Sequence, residues 1–193
     1  MKISYLSLMF ILSATILGCC KSGLDNQYKS NSKILQKKAV NMNLKESNYF
    51  EIVILRDVQG LFGGQNLYLK NNGQIIVQNV QLGKEKPGLE ERRYIFSINS
   101  KEAEKVNFLI NKHKFFDIKI PERLGVPDEA RPTITVILSS GESKTISKWF
   151  NDVHPDFDAI YSYLIKLTQK VNKMAPDYQG SYDYDWKPKD FNE

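Results

Sequence analysis

Four β-rich runs follow one another between residues 49 and 98, joined by connections too short for parallel pairing. The first is Tyr49-Phe50-Glu51-Ile52-Val53-Ile54-Leu55-Arg56-Asp57, closed by the loop Gln59-Gly60-Leu61-Phe62-Gly63-Gly64. Residues 66–70 and 74–82 flank Asn71-Asn72-Gly73, a hairpin signal because Asn and Gly accept positive φ. Residues 91–98 alternate, with Tyr94, Phe96 and Ile98 on one face. Parallel neighbours would need crossovers of about a dozen residues or more. The spacing therefore predicts an antiparallel meander.

A helix is expected next. Asn99 or Ser100 can cap it, Glu102 and Glu104 fall in the first turn, and Ala103, Val106, Leu109, Ile110 and His113 keep helical spacing. Residues 133–139 and 143–149 form a second hairpin around Ser140-Gly141. Lys144 and Lys148 flank Ile146 on one face of its second strand, which suits an exposed sheet edge. A last helix opens at Pro155 with Asp156 and Asp158. It buries Phe157, Ile160, Leu164, Leu167 and Val171, and stops before Pro176. The order is four strands, a helix, two strands and a helix. It implies one α+β domain over residues 49–173, a largely antiparallel sheet of about six strands with two helices on one face. Such a domain hides roughly two-thirds of its unfolded surface, enough for a substantial core.

Composition agrees with a single globular domain: 193 residues, 41% hydrophobic and 25% charged, which argues against disorder and against a polytopic membrane protein. The two cysteines, Cys19 and Cys20, are neighbours, so neither a disulfide framework nor a cysteine zinc site can be built.

Lys2 is the only charge before an apolar stretch over residues 3–17, a positive n-region followed by an h-region too short to span a bilayer. The stretch ends Ile16-Leu17-Gly18-Cys19, which resembles the lipobox of bacterial lipoproteins, although Leu17 replaces the usual small residue. The resemblance implies a signal peptide over residues 1–18. It also implies that Cys19 carries diacylglycerol and that its new amine is acylated, with palmitate or a similar chain. Two or three acyl chains anchor a protein stably where one does not.

The chain left after residue 18 carries +4, and residues 19–48 alone carry +4 through six lysines against Asp25 and Glu46. This basic segment, rich in Ser, Asn and Gln, reads as a flexible tether reaching roughly 30 Å. Its lysines either lie on anionic headgroups or are simply solvated. The expected address is the bacterial cell envelope, lipid-anchored to a membrane, with the leaflet open. Residues 49–173 hold 18 basic and 15 acidic side chains, no footprint for nucleic acid.

Chemistry is sparse. The Gly-rich loop over residues 60–64 joins two strands and lacks the Lys-Ser/Thr of a phosphate loop, so it reads as a turn. In Asp152-Val153-His154-Pro155-Asp156-Phe157-Asp158, the side chains of Asp152, His154 and Asp156 could hold a divalent cation. Asp156 and Asp158 could instead complement the dipole of the last helix, which is the preferred reading. Gly125-Val126-Pro127-Asp128-Glu129-Ala130-Arg131-Pro132 is the densest polar constellation. Asp128, Glu129 and Arg131, with His154 if the loops meet, are the one acid/base set that can be assembled. Ion-paired bracing of the loop by Asp128, Glu129 and Arg131 is the preferred reading there. No cofactor is called for.

The segments Gly-Val-Pro-Asp-Glu-Ala-Arg-Pro, Ser147-Lys148-Trp149 and His154-Pro-Asp-Phe-Asp-Ala-Ile-Tyr resemble an uncharacterised bacterial exported-domain family over residues 65–170. That resemblance implies no activity. The functional expectation is a membrane-tethered envelope lipoprotein with a non-enzymatic binding or interaction domain, meeting a ligand or an envelope protein. The alternative is an envelope hydrolase or metal-dependent enzyme using Asp128 or Glu129 with His154.

Residues 174–193 form an acidic aromatic tail of net −3. In Tyr182-Asp183-Tyr184-Asp185-Trp186, rings and carboxylates alternate with period two, so an extended chain would put three rings on one side. This segment is expected to dock back on the domain as a strand or strand-like arm. A free arm adding a strand to a partner is the rival.

Overall fold

A computed structural model describes residues 49–83, 87–125, 127–189 and 191 of the chain. Cys19, the lipobox and the basic tether lie outside the described residues, as does Val126. The elements run β1 Phe50–Gln59, β2 Gly63–Lys70, β3 Gln74–Leu82, β4 Leu89–Ser97, α1 Ser100–Lys112, β5 Thr133–Leu138, β6 Ser143–Ser147, α2 Pro155–Thr168 and β7 Tyr178–Ser181. Strand order is β6-β5-β1-β2-β3-β4-β7, and each neighbouring pair is antiparallel. The α+β class stands. The sheet has seven strands rather than six, because the tail supplies the last.

Local chemistry explains the elements. The Asn71-Asn72-Gly73 hairpin turns at Gly73, where φ is 86° and a Cβ would sit 2.6 Å from the Ile98 carbonyl oxygen. α1 opens with a capping box. The Asn99 side chain accepts from the Glu102 N–H at 3.0 Å, and the Glu102 carboxylate accepts from the Asn99 N–H at 3.2 Å. His154 caps α2: its Nδ1 accepts from the Phe157 N–H at 3.4 Å, and Pro155 follows at the first helical position. Asp156 and Asp158 fall in the first turn as expected, Asp158 accepting from the His154 N–H at 2.9 Å.

The main core lies between one sheet face and the two helices. Val53, Leu55, Leu67, Leu69, Ile75 and Val77 meet Val106, Ile110, Phe157, Ile160 and Leu164 there. The opposite face carries a smaller cluster, Ile52, Ile54, Tyr68 and Ile76, closed by Phe191 and Trp186 of the tail. So the tail docks, but not as the alternation suggests. Its strand is Tyr178–Ser181, paired with β4, while residues 184 and 185 turn. Tyr184 is left exposed and Trp186 packs inward. The three rings therefore do not line one side of an extended chain.

β6 is an edge strand, as its two lysines suggest, but their ammonium groups turn to loop backbone rather than to solvent. Lys148, just past the strand end, is buried and donates to the carbonyls of Trp149, Phe150 and Asp152. Lys144 donates to the carbonyls of Phe116 at 2.6 Å and Ile118 at 2.9 Å. Both lysines thus tie loop backbone to the edge of the sheet.

Candidate functional site

The loop singled out by the sequence is braced by ion pairing, through Glu129 as expected but without Asp128 or Arg131. Arg123 does it. One guanidinium nitrogen donates to both oxygens of Glu129 at 2.8 and 2.9 Å, and Nε donates to Asp152 at 2.7 Å. Glu129, its side chain nearly enclosed, also accepts from the Asn151 N–H at 3.0 Å. Hydrogen bonds from Arg123 to Asp152, then to Glu129, raise the guanidinium pKa and keep it charged. Asp128 sits exposed at φ 64°, and its backbone carbonyl accepts from the Gln59 amide. Arg131 lies over the Trp149 ring, 5.0 Å from its centroid.

The candidate sets are thus dispersed among separate tasks. Glu129 is occupied by Arg123, and the His154 ring by the cap of α2. Asp152 pairs with Arg123, while Asp156 meets His113 Nδ1 at 2.8 Å. Asp152, His154 and Asp156 do not converge, and the described residues hold no group of three His, Cys, Asp or Glu able to take a metal. Lys148 forms an ion pair with Asp158 at 3.2 Å beside a cavity of about 270 Å³. On the same cavity, the Tyr161 hydroxyl donates to Asp57 at 2.6 Å. Burial, then the Asp57 carboxylate, pushes the Tyr161 phenol well above its ordinary range.

The helix-free face carries what the sequence reading missed. Its strand register lines up Ser147, Thr133, Arg56, Asn66, Gln78, Arg93 and Tyr178 in one row across six strand junctions. The row is hydrogen-bonded: Thr133 Oγ1 and Ser147 Oγ are 2.8 Å apart, and the Asn66 amide donates to Gln78 at 2.8 Å. Gln78 and Arg93 both donate to Glu91, which is fully buried. A buried carboxylate without such donors would be costly, so the row and Glu91 belong together.

The arm closes over this row. Arg93 is held between two rings, Tyr178 at 4.3 Å and Trp186 at 3.8 Å from its guanidinium carbon. Trp186 and Phe191 both meet Tyr68 edge-on, at 5.9 and 5.7 Å. Between arm and sheet remains a cavity of about 180 Å³, floored by Asn66, Gln78 and Tyr68 and walled by Tyr182, Tyr184 and Trp186. Arg56, Arg131 and Lys187 also line it. Burial raises the Tyr182 phenol pKa, against the Asn66 hydrogen bond that lowers it.

The sequence held one usable signal for this face. The 71–73 turn fixes the register of β2 on β3, which faces Asn66 with Gln78 and, one residue along, Gln65 with Asn79. Comparison with protein-family models, with curated proteins and with solved structures gives no match.

Proposed function

We propose that the chain is a lipid-anchored protein of the bacterial envelope whose domain binds a small polar ligand between the helix-free sheet face and the C-terminal arm. The carrying observation is the cavity of about 180 Å³ that opens over a hydrogen-bonded polar row and under three aromatic side chains. Binding is preferred to catalysis because Glu129 and His154 are engaged in holding loops and helix together. Anchoring rests on the lipobox resemblance at Ile16-Leu17-Gly18-Cys19. The basic tether would let the domain sample a layer about 30 Å deep over the membrane, and the envelope would supply the ligand.

Hydrogen exchange on the full chain tests the binding site. A small-molecule fraction from envelope extracts should slow exchange in residues 178–187 and on the strands beneath. Protection confined to the 123–132 and 148–158 loops would overturn the site and reopen the hydrolase alternative. Fatty-acid labelling tests the anchor: Cys19→Ser should abolish it and move the protein into the aqueous phase of a detergent extraction.

A further inference from the structure

Resting on the cavity reading above, we infer that the ligand is a small oxyanion, a carboxylate or a phosphate, gripped by Arg56, Arg131 and Lys187. These three cations come from separate parts of the chain: β1, the segment before β5, and the arm. The described residues lining the cavity include no Asp or Glu. The buried carboxylate of this face, Glu91, is enclosed by Gln78 and Arg93. The arm's Asp183 and Asp185 lie exposed in its turn, where the Asp185 N–H donates to Asp183 at 3.0 Å. An anion entering this concave place would meet positive side chains from three directions.

Arg131 is the most informative of the three. It makes no ion pair among the described residues, and its guanidinium carbon lies 5.0 Å from the centre of the Trp149 ring. A guanidinium held on an aromatic face keeps its N–H edge for a planar or tetrahedral oxyanion, which it meets with two parallel hydrogen bonds. Arg56 and Lys187 also contact the protein around them, as cations in a preformed site do. Asn66, Gln78 and Thr133 supply neutral donors and acceptors for the rest of the ligand. A cavity of about 180 Å³ has room for a small molecule. Because Lys187 belongs to the arm while Arg56 belongs to the sheet, an anion between them would also tie the arm down.

Calorimetric titration of the full chain in non-ionic detergent, with succinate, inorganic phosphate and neutral succinamide, tests the inference. Succinate or phosphate should bind, with affinity falling as salt rises, and succinamide should not. Which of the two anions binds assigns the carboxylate or the phosphate class. Arg131→Gln and Lys187→Gln change exposed side chains and so leave the fold intact; each should weaken anion binding by about tenfold or more. Succinamide binding as well as succinate would overturn the oxyanion and leave the cavity reading standing. The same holds if none of the three binds while an extract fraction still protects residues 178–187. If no probe binds and no fraction protects, both readings fall.

Discussion

The two faces of the sheet are covered by different kinds of structure. One lies under α1 and α2, and its strands meet the helices mainly through Val, Leu, Ile and Phe side chains. The other lies under an arm with one four-residue strand, anchored by Trp186 and Phe191 on Tyr68 and by Arg93 between two rings. A helix presents a continuous apolar stripe to the sheet it covers. An arm touches at a few points and leaves room between them. The polar row runs where the cover is incomplete, and a cavity of about 180 Å³ remains there, while the cavity of about 270 Å³ on the helix side lies at the edge of α2 beside the Lys148–Asp158 pair.

The largest expected effect is on the helix side. Phe157, fully buried in the core between helices and sheet, should cost about 3–5 kcal/mol as Phe157→Ala. Urea denaturation would show this as a lower midpoint with unchanged slope. Phe191, almost as enclosed at 2% exposure, should cost less as Phe191→Ala, about 2 kcal/mol, because the arm can settle into the space. Hydrogen exchange should show that second loss as local opening of residues 178–191 with the sheet still protected. Equal costs, or global loosening by Phe191→Ala, would break the contrast between the faces.

How much of this can be read from the sequence follows the range of the interactions. The meander, both hairpins, the capping box at Asn99 and the apolar spacing of both helices obey rules that act within a few residues, and they are legible. The arm is legible as docked but not in register. Its rings are placed by Tyr68 and Arg93, far away in sequence, so the chain turns at 184–185 instead of staying extended. Arg123 sits in a stretch without periodicity and finds Asp152 twenty-nine positions on, so nothing local announces it as the brace. The pairing of Asn66 with Gln78 is legible in principle, because a tight turn fixes register. Arg131 meeting them on one face is not, since it depends on β5 pairing with β1.

Two arginines beside one tryptophan sharpen the comparison further. Arg123 lies 5.5 Å and Arg131 5.0 Å from the Trp149 ring centroid, yet only Arg123 holds carboxylates. Arg123→Ala would leave the nearly enclosed Glu129 with the Asn151 N–H and without the Arg123 cation opposite it. Its melting temperature should fall clearly, whereas Arg131→Ala should melt close to the parent. A matching fall for Arg131→Ala would restore it to the loop brace and remove it from the ligand site.

The smallest effect concerns a carboxylate at the border of the helix-covered face, and pH reveals it. Asp57, near the end of β1, accepts from Tyr161 of α2 at 2.6 Å. Burial raises its pKa above the ordinary 3.8, the Tyr161 hydrogen bond offsetting part of that. A carboxyl raised on folding favours the folded state while protonated. Its contribution is therefore full below pH 3.8 and is lost as pH rises through the raised value. At neutral pH the parent holds a charge that its surroundings disfavour. Glu91 on the other face has Gln78 and Arg93 around its charge, while Asp57 has the Tyr161 phenol. Asp57→Asn keeps an acceptor for the Tyr161 hydroxyl and carries no charge into that site. It should be at least as stable as the parent at pH 7, and the gap should close as pH falls toward 3.8. Urea midpoints of both proteins across that range decide the matter. If the parent is instead the more stable at pH 7, and its advantage over the Asp57→Asn variant grows as pH rises, the hydrogen bond to the ionised carboxylate outweighs burial. The helix-covered face would then tolerate charge as readily as the face beneath the arm.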